Sequence, residues 1–238
     1  MARERLLDVK GGGISTVFHS AGEDARGTVV FCHGLGSDKS GYRRRAKQAV
    51  DRGFDAVRFD FRGNGESSGN FEKMNLTTRI RDLQTVLDSV DSDNIGVYGS
   101  SFGGLVAIHE AVSDHDGGID ALALRSPVTF YDSLRPIEKG IRDRGFYEHL
   151  PGKRLYMEFI LDVKRYSIEE AAEDLSIPVL LMHGSEDDLV PAEGSRRFHD
   201  RLECRKRLEI FEGEGHRFGA SADRRAVDIS LDWFEEAL

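Results

Sequence analysis

The 238-residue sequence predicts an α/β protein built on a mostly parallel sheet flanked by helices, with a small helical cap. Three observations carry that expectation. Short apolar runs alternate along the chain with stretches of helical spacing, the pattern of βαβ units. Several of these runs are apolar throughout and end in glycine, which suits strands buried on both faces. One long interval breaks the rhythm, as an insertion into such a core would.

The elements follow in order. Leu6–Val9 and Ile14–Phe18 flank Gly11-Gly12-Gly13 and read as a hairpin. Thr28–Cys32 is a continuous apolar strand that runs into His33-Gly34-Leu35-Gly36. A helix near Tyr42–Asp51 stops at Gly53 and leads to a strand at Ala56–Phe59. Leu76, Ile80, Leu83, Val86, Leu87 and Val90 recur at helical spacing. Ile95–Tyr98 is the next strand, Ser101–Val112 the next helix, and Ala121–Arg125 the strand after it. Beyond the interval come a strand at Val179–His183, a helix near Ala192–Leu202 and a strand at Leu208–Phe211. An amphipathic helix near Arg224–Ala237 closes the chain, with Ala226, Ile229, Trp233 and Phe234 on one side.

The interval from Pro127 to Ser176 carries no strand signal but has helical patterns around Leu134–Gly145 and Leu155–Tyr166. A loop of that length in a compact domain has its own structure or a function. It holds seven of the chain's 21 aromatic residues: Phe130, Tyr131, Phe146, Tyr147, Tyr156, Phe159 and Tyr166. The expected organisation is therefore a core of residues 1–127 and 176–238, interrupted by a helical cap over 128–175 at the working edge of the sheet.

Composition narrows the function. The net charge of −9 argues against nucleic acid, whose phosphates need a basic footprint, and against anionic lipid surfaces. Cys32 and Cys204 form neither a CxxC pair nor a metal-ligand spacing. No histidine pair forms H-x-x-x-H or H-E-x-x-H, and Gly63-Asn64-Gly65 lacks the context of a phosphate loop, so neither metal nor cofactor is implied. No stretch reaches the roughly 20 apolar residues of a membrane span. Residues 1–10 lack an apolar h-region, so a cytoplasmic location is the expectation.

The chemistry sits at turns after strands. Gly99-Ser100-Ser101-Phe102-Gly103 matches G-x-S-x-G between a strand and a helix, a sharp turn that exposes the central serine over the sheet edge. Ser100 lacks the flanking glycines, so Ser101 is the candidate nucleophile. A serine hydroxyl needs a base within hydrogen-bond reach, itself oriented by a third group. His183-Gly-Ser-Glu-Asp-Asp-Leu-Val-Pro191 begins at the end of one strand, and Gly213-Glu-Gly-His216 follows the last. All of them lie beyond C-terminal strand ends, where open α/β sheets place their sites.

With these motifs the sequence resembles the α/β-hydrolase superfamily from Thr28 to the last helix. Within it, the chain is most similar to the cinnamoyl/feruloyl esterase, monoacylglycerol lipase and serine aminopeptidase branches. The resemblance implies an α/β-hydrolase fold and a family H-G-x-x-D-x-x-V-P segment at His183, Gly184, Asp187, Val190 and Pro191. It selects Asp187 over Glu186 and Asp188 as the acid, with His216 as base. It also matches Asp60-Phe-Arg-Gly-Asn-Gly-Glu-Ser67 to a D-x-x-G-x-G-x-S loop. By the same resemblance the backbone N–H groups of Leu35 and Phe102 form the oxyanion hole. His33 reads as a structural histidine tying loops together. The implied activity is hydrolysis of small carboxylic esters through an acyl-enzyme, with an apolar or aromatic acyl group held by Phe130, Tyr131, Phe146, Tyr147, Tyr156 and Phe159. Those aromatics would equally serve to bury the cap's own core. A thioesterase, an aminopeptidase-like amidase and a non-catalytic binding scaffold are the alternatives.

Overall fold

The period of two in a strand sends Val29 and Phe31 of β3 (Thr28–Cys32) to one face of the sheet, and Val30 and Cys32 to the other. The computed structural model describes residues 2–10, 12–113, 115 and 118–238. In it all four side chains are buried, so β3 lies between two helical layers.

Among the described residues, eight strands form one sheet. Its order is β1 (Ala2–Val9), β2 (Gly12–His19), β4 (Asp55–Phe59), β3, β5 (Ile95–Ser100), β6 (Ala121–Arg125), β9 (Val179–Gly184), β10 (Lys206–Phe211). The strands from β4 to β10 pair in parallel, and β2 runs antiparallel to both its neighbours. Gly11, in the turn of the expected β1–β2 hairpin, lies outside the described residues.

Helices α1 (Arg43–Asp51) and α8 (Ala220–Ala237) cover one face through Ala46, Ala49, Ala226, Trp233 and Phe234. A Cβ on Gly96 of β5 would sit 2.6 Å from the Phe234 ring, so glycine lets α8 approach the strand. Helices α2 (Leu76–Leu87), α3 (Phe102–Ala111) and α7 (Ala192–Arg201) cover the other face through Leu83, Leu105 and Phe198. An Asn75–Thr78 capping box starts α2, satisfying orphan N–H groups of its first turn.

The interval between β6 and β9 is not wholly helical, which corrects the expectation that it holds no strand. It contains α4 (Arg135–Arg144), a hairpin of β7 (Tyr147–Leu150) and β8 (Lys153–Leu155), then α5 (Met157–Val163) and α6 (Ile168–Asp174). The hairpin turns at Pro151-Gly152, where Gly152 takes φ +74°, a conformation that favours glycine. Leu155, expected in a helix, therefore belongs to β8. The helix starts only at Met157, because Tyr156 before it is extended. Six strands running in parallel put their C-terminal ends on one edge, and the loops at that edge build the site.

Candidate active site

Ser101 separates β5 from α3 with φ 54° and ψ −120°, backbone space that costs a residue with a Cβ. Hydrogen bonds to the end of β6 and the loop beyond it hold it there: its N–H donates to Arg125 O (2.9 Å), and Val128 N–H donates to its carbonyl (3.2 Å), which also accepts from Gly104 N–H (2.9 Å). The flanking glycines of the motif have packing reasons. A Cβ on Gly99 would lie 2.8 Å from Gly104 Cα, and one on Gly103 would lie 2.5 Å from the carbonyl oxygens of Cys32 and His33. The turn is thus a contact between backbones.

His216 Nε2 lies 3.0 Å from Ser101 Oγ, and His216 Nδ1 lies 2.7 Å from Asp187 Oδ2. A carboxylate can only accept, so Nδ1 carries the ring proton and Nε2 is free to take one from the serine. Asp187 is buried while its neighbours Glu186 and Asp188 are exposed, so geometry separates the three acids. Its second oxygen, Oδ1, accepts the N–H groups of Leu189 (3.1 Å) and Val190 (2.8 Å). Burial pushes the Asp187 carboxyl up. Hydrogen bonds from His183, His216 and the Val190 backbone outweigh that and hold it well below the usual carboxylate range. Gly184 lets the two loops meet, since a Cβ there would run into the Glu214 carbonyl.

Two further side chains support the site, neither of them given a role by the sequence. His183 is fully buried, with Nε2 2.7 Å from Val190 O and 3.1 Å from Asp187 Oδ2, and Nδ1 2.7 Å from Ser195 Oγ. The Val190 carbonyl requires a proton on Nε2, so in the neutral ring Nδ1 accepts from the Ser195 hydroxyl. Arg125, at the end of β6, donates to His216 O (3.2 Å) and Ser100 Oγ (2.6 Å) and lies over the Phe218 ring. The H-G-x-x-D-x-x-V-P motif pointed to His183; nothing local in the sequence marked Arg125.

The loop after β3 lies against the nucleophile: a Cβ on Gly34 would be 3.2 Å from Ser101 Cβ. Leu35 is in this loop, and Phe102 is the first residue of α3, so its N–H has no intrahelical acceptor. His33 Nδ1 donates to Gly34 O (2.8 Å) and Nε2 accepts from Phe61 N–H (3.1 Å). Burial lowers its pKa to about 4, which keeps the ring neutral as a loop tie. Beneath it Asp60, fully buried, accepts from Lys39 N–H and Nζ (both 2.6 Å) and from Glu66 N–H (2.9 Å). The D-x-x-G-x-G-x-S segment is thereby bolted to the loop after β3.

The six aromatic candidates are dispersed. Phe159 is buried with its ring 5.5 Å from that of Phe102, beside the nucleophile. Phe130 packs where a Cβ on Gly194 of α7 would sit, and Tyr131 Oη donates to Val163 O (3.1 Å). Tyr147 packs against Gly140, Phe146 lies beneath Arg154, and Tyr156 Oη lies 3.5 Å from Glu72 Oε1. A groove of about 220 Å³ lined by Tyr131, Leu134, Ile160 and Val163 includes none of Ser101, His216, Leu35 or Phe102. Among the described residues no cluster of three His, Cys, Asp or Glu could hold a metal ion, and no helix is long and apolar enough to cross a membrane.

Known proteins share both sequence and architecture with this chain. The sequence model of the family described as serine aminopeptidase, S33, matches residues 23–143 and 147–219. A mitochondrial palmitoyl-protein thioesterase of Mus musculus, ABHD10, is 26% identical over 220 residues, covering 86% of this chain and 73% of its own. A Mycobacterium tuberculosis protein is 29% identical over 202 residues, covering 84% of this chain and 66% of its own. Among solved structures, ferulic acid-bound Est1E from Butyrivibrio proteoclasticus superposes with TM-score 0.84 at 20% identity, over 98% of each chain. A monoacylglycerol lipase from Paleococcus ferrophilus superposes with TM-score 0.77 at 21% identity, over 94% of this chain and 99% of its own. The structural likenesses establish the fold and the family model establishes descent: the chain belongs to the serine aminopeptidase S33 family of the α/β-hydrolase superfamily, and is a hydrolase.

Proposed function

We propose that the protein is a serine hydrolase that cleaves carboxylic esters through an acyl-enzyme on Ser101. One observation carries the reading: Ser101, in strained backbone, has its hydroxyl 3.0 Å from an imidazole whose other nitrogen is held 2.7 Å from a buried carboxylate. As Ser101 Oγ attacks the ester carbonyl, His216 Nε2 takes its proton. The tetrahedral oxyanion is stabilised by Leu35 and Phe102 N–H, each such donor worth roughly 3–4 kcal/mol. His216 then protonates the departing alcohol, and a water repeats the sequence to release the acid. Asp187 stays ionised throughout, because the hydrogen bonds it accepts hold its proton affinity low. Residues 128–175 serve as the cap, and its Phe159 ring packs against that of Phe102, the residue after the nucleophile.

Esters come first because ferulic acid is bound to one structural neighbour and another is a monoacylglycerol lipase. A second reading, thioester hydrolysis by the same residues, is favoured by the likeness to palmitoyl-protein thioesterases. Initial rates on p-nitrophenyl esters of rising acyl length, beside a palmitoyl thioester, test both. Turnover lost in Ser101→Ala supports the acyl-enzyme. Preference for the thioester by kcat/KM favours the second reading, and turnover that survives the substitution refutes both.

A further inference from the structure

Three consecutive carbonyls of the loop after β3 are each held by a side chain. His33 Nδ1 donates to Gly34 O (2.8 Å), His149 Nε2 to Leu35 O (3.1 Å) and Lys153 Nζ to Gly36 O (2.8 Å). The first comes from within the loop. The other two come from the β7–β8 hairpin, more than a hundred residues further along the chain. A carbonyl only accepts, so His149 carries its proton on Nε2.

Lys153 also donates to Asn64 Oδ1 (3.2 Å) and lies 5.3 Å from the centre of the Phe71 ring. Packing closes the same joint. Gly36 takes φ +72°, and a Cβ there would lie 2.8 Å from Leu150 Cδ1 and 2.9 Å from His149 Cδ2.

In a planar trans peptide the C=O and the following N–H point in opposite directions. The Gly34 carbonyl therefore sets the direction of the Leu35 N–H, and the Leu35 carbonyl sets that of the Gly36 N–H. Pinning both carbonyls fixes the peptide planes on either side of Leu35. Gly34 and Gly36, on either side, would otherwise let the loop sample a wide range of backbone geometry.

We infer that His149 and Lys153 are positioning residues: by fixing the Leu35–Gly36 and Gly36–Ser37 peptides, the β7–β8 hairpin completes the hold that His33 begins on the Gly34–Leu35 peptide, and so keeps the Leu35 N–H aimed at the developing oxyanion. The inference rests on the acyl-transfer reading above. It makes the segment between β6 and β9 part of the rate-determining geometry as well as a wall for substrate. Donors aimed in advance act on the transition state more than on bound substrate, so their loosening appears in kcat.

The test is a set of four variants, His149→Ala, His149→Gln, Lys153→Met and Ser101→Ala, with two p-nitrophenyl esters of different acyl length. Inhibition by a trifluoromethyl ketone, which adds to Ser101 Oγ to give an oxyanion-bearing adduct, is measured in parallel. H149A and K153M should lower kcat about ten- to a hundred-fold on both esters, with KM changed by less than about three-fold. The inhibition constant should rise in step with the loss of kcat. Glutamine offers an amide N–H to the Leu35 carbonyl, so H149Q should recover most of the rate lost in H149A.

KM rising with kcat retained, or a loss confined to one acyl length, overturns the inference while an inactive S101A leaves the acyl-transfer reading standing. Turnover surviving in S101A overturns that reading and the inference with it. Thermal midpoints establish that each variant is folded; should H149A fail to fold, H149Q and K153M carry the decision.

Discussion

Arg125→Met tests whether the guanidinium at the end of β6 sets the position of His216. The wild-type side chain donates to His216 O at 3.2 Å and to Ser100 Oγ at 2.6 Å, and lies over Phe218. Hydrogen bonds from a charged donor contribute about 1.5–3 kcal/mol each, and a partly exposed cation over an aromatic ring about 0.5–1 kcal/mol. Methionine refills the apolar volume, and water can reach part of the site. A net loss of about 2–3 kcal/mol is expected, a fall in thermal midpoint of roughly 5–10 °C for a domain of this size. The effect on activity has a different origin. Asp187 still holds His216 Nδ1, so the tautomer survives, but the backbone carrying the ring loses its anchor. A drift of about 1 Å in a reacting group costs on the order of 10²-fold, so kcat should drop about ten- to a hundred-fold with KM nearly unchanged. Steady-state kinetics on a p-nitrophenyl ester and a melting curve measure the two effects separately. Arg125→Lys should recover little, because a single ammonium cannot span both acceptors as the fork does. If R125M melts early yet keeps its kcat within about two-fold, Arg125 is only packing and the reasoning fails.

Asp187→Asn should lower kcat by about 10⁴-fold: the amide oxygen is claimed by the Leu189 and Val190 N–H groups, so its NH₂ faces His216 and forces the wrong tautomer. Because the native carboxyl is held low, its stabilising contribution is complete above the ordinary value near 4 and disappears as pH falls below it. The urea-unfolding gap between wild type and D187N should therefore narrow from pH 7 to pH 3, and a constant gap would count against those hydrogen bonds. Gly184→Ala places a methyl against the Glu214 carbonyl and should displace His216, reducing kcat about 10²-fold in a folded protein; full activity would show that the loop yields freely. Burial raises the Glu110 carboxyl, beside His115, from 4.5 to about 7. Its contribution is complete below the ordinary value and lost as pH rises through 7, so Glu110→Gln should flatten the fall in melting temperature between pH 5.5 and 8. An unchanged slope would place the titration elsewhere.

The parallel core was legible because strands buried on both faces are apolar along their length, as Val29–Cys32 and Ala121–Leu124 are, and the expected bounds Thr28–Cys32 and Ala121–Arg125 match to the residue. The edge strand β1 was less so. Its first residues, Ala-Arg-Glu-Arg, are exposed, and extend only because they pair with β2. The meeting of Ser101, Asp187 and His216 could be anticipated from turns that share one sheet edge, together with the family resemblance that chose Asp187 among three adjacent acids. The β7–β8 hairpin could not, for strands of four and three residues are too short to show a period. Its anchors reach Leu35 and Gly36, far outside any sequence window. Arg125 escaped notice for the same reason, since its partners Ser100 and His216 are 25 and 91 residues away.

The segment between β6 and β9 leaves and rejoins the sheet on adjacent strands, paired from Leu122–Val179 to Arg125–Met182. A detour whose two feet are already clasped can change in length at small entropic cost, since loop closure grows only with the logarithm of length. The scaffold thus resembles a socket into which other detours could be grafted to alter what the enzyme accepts. The socket has a condition, however. Any replacement must bring two hydrogen-bond donors down onto the carbonyls of Leu35 and Gly36, or the graft will fold and bind while turning over slowly.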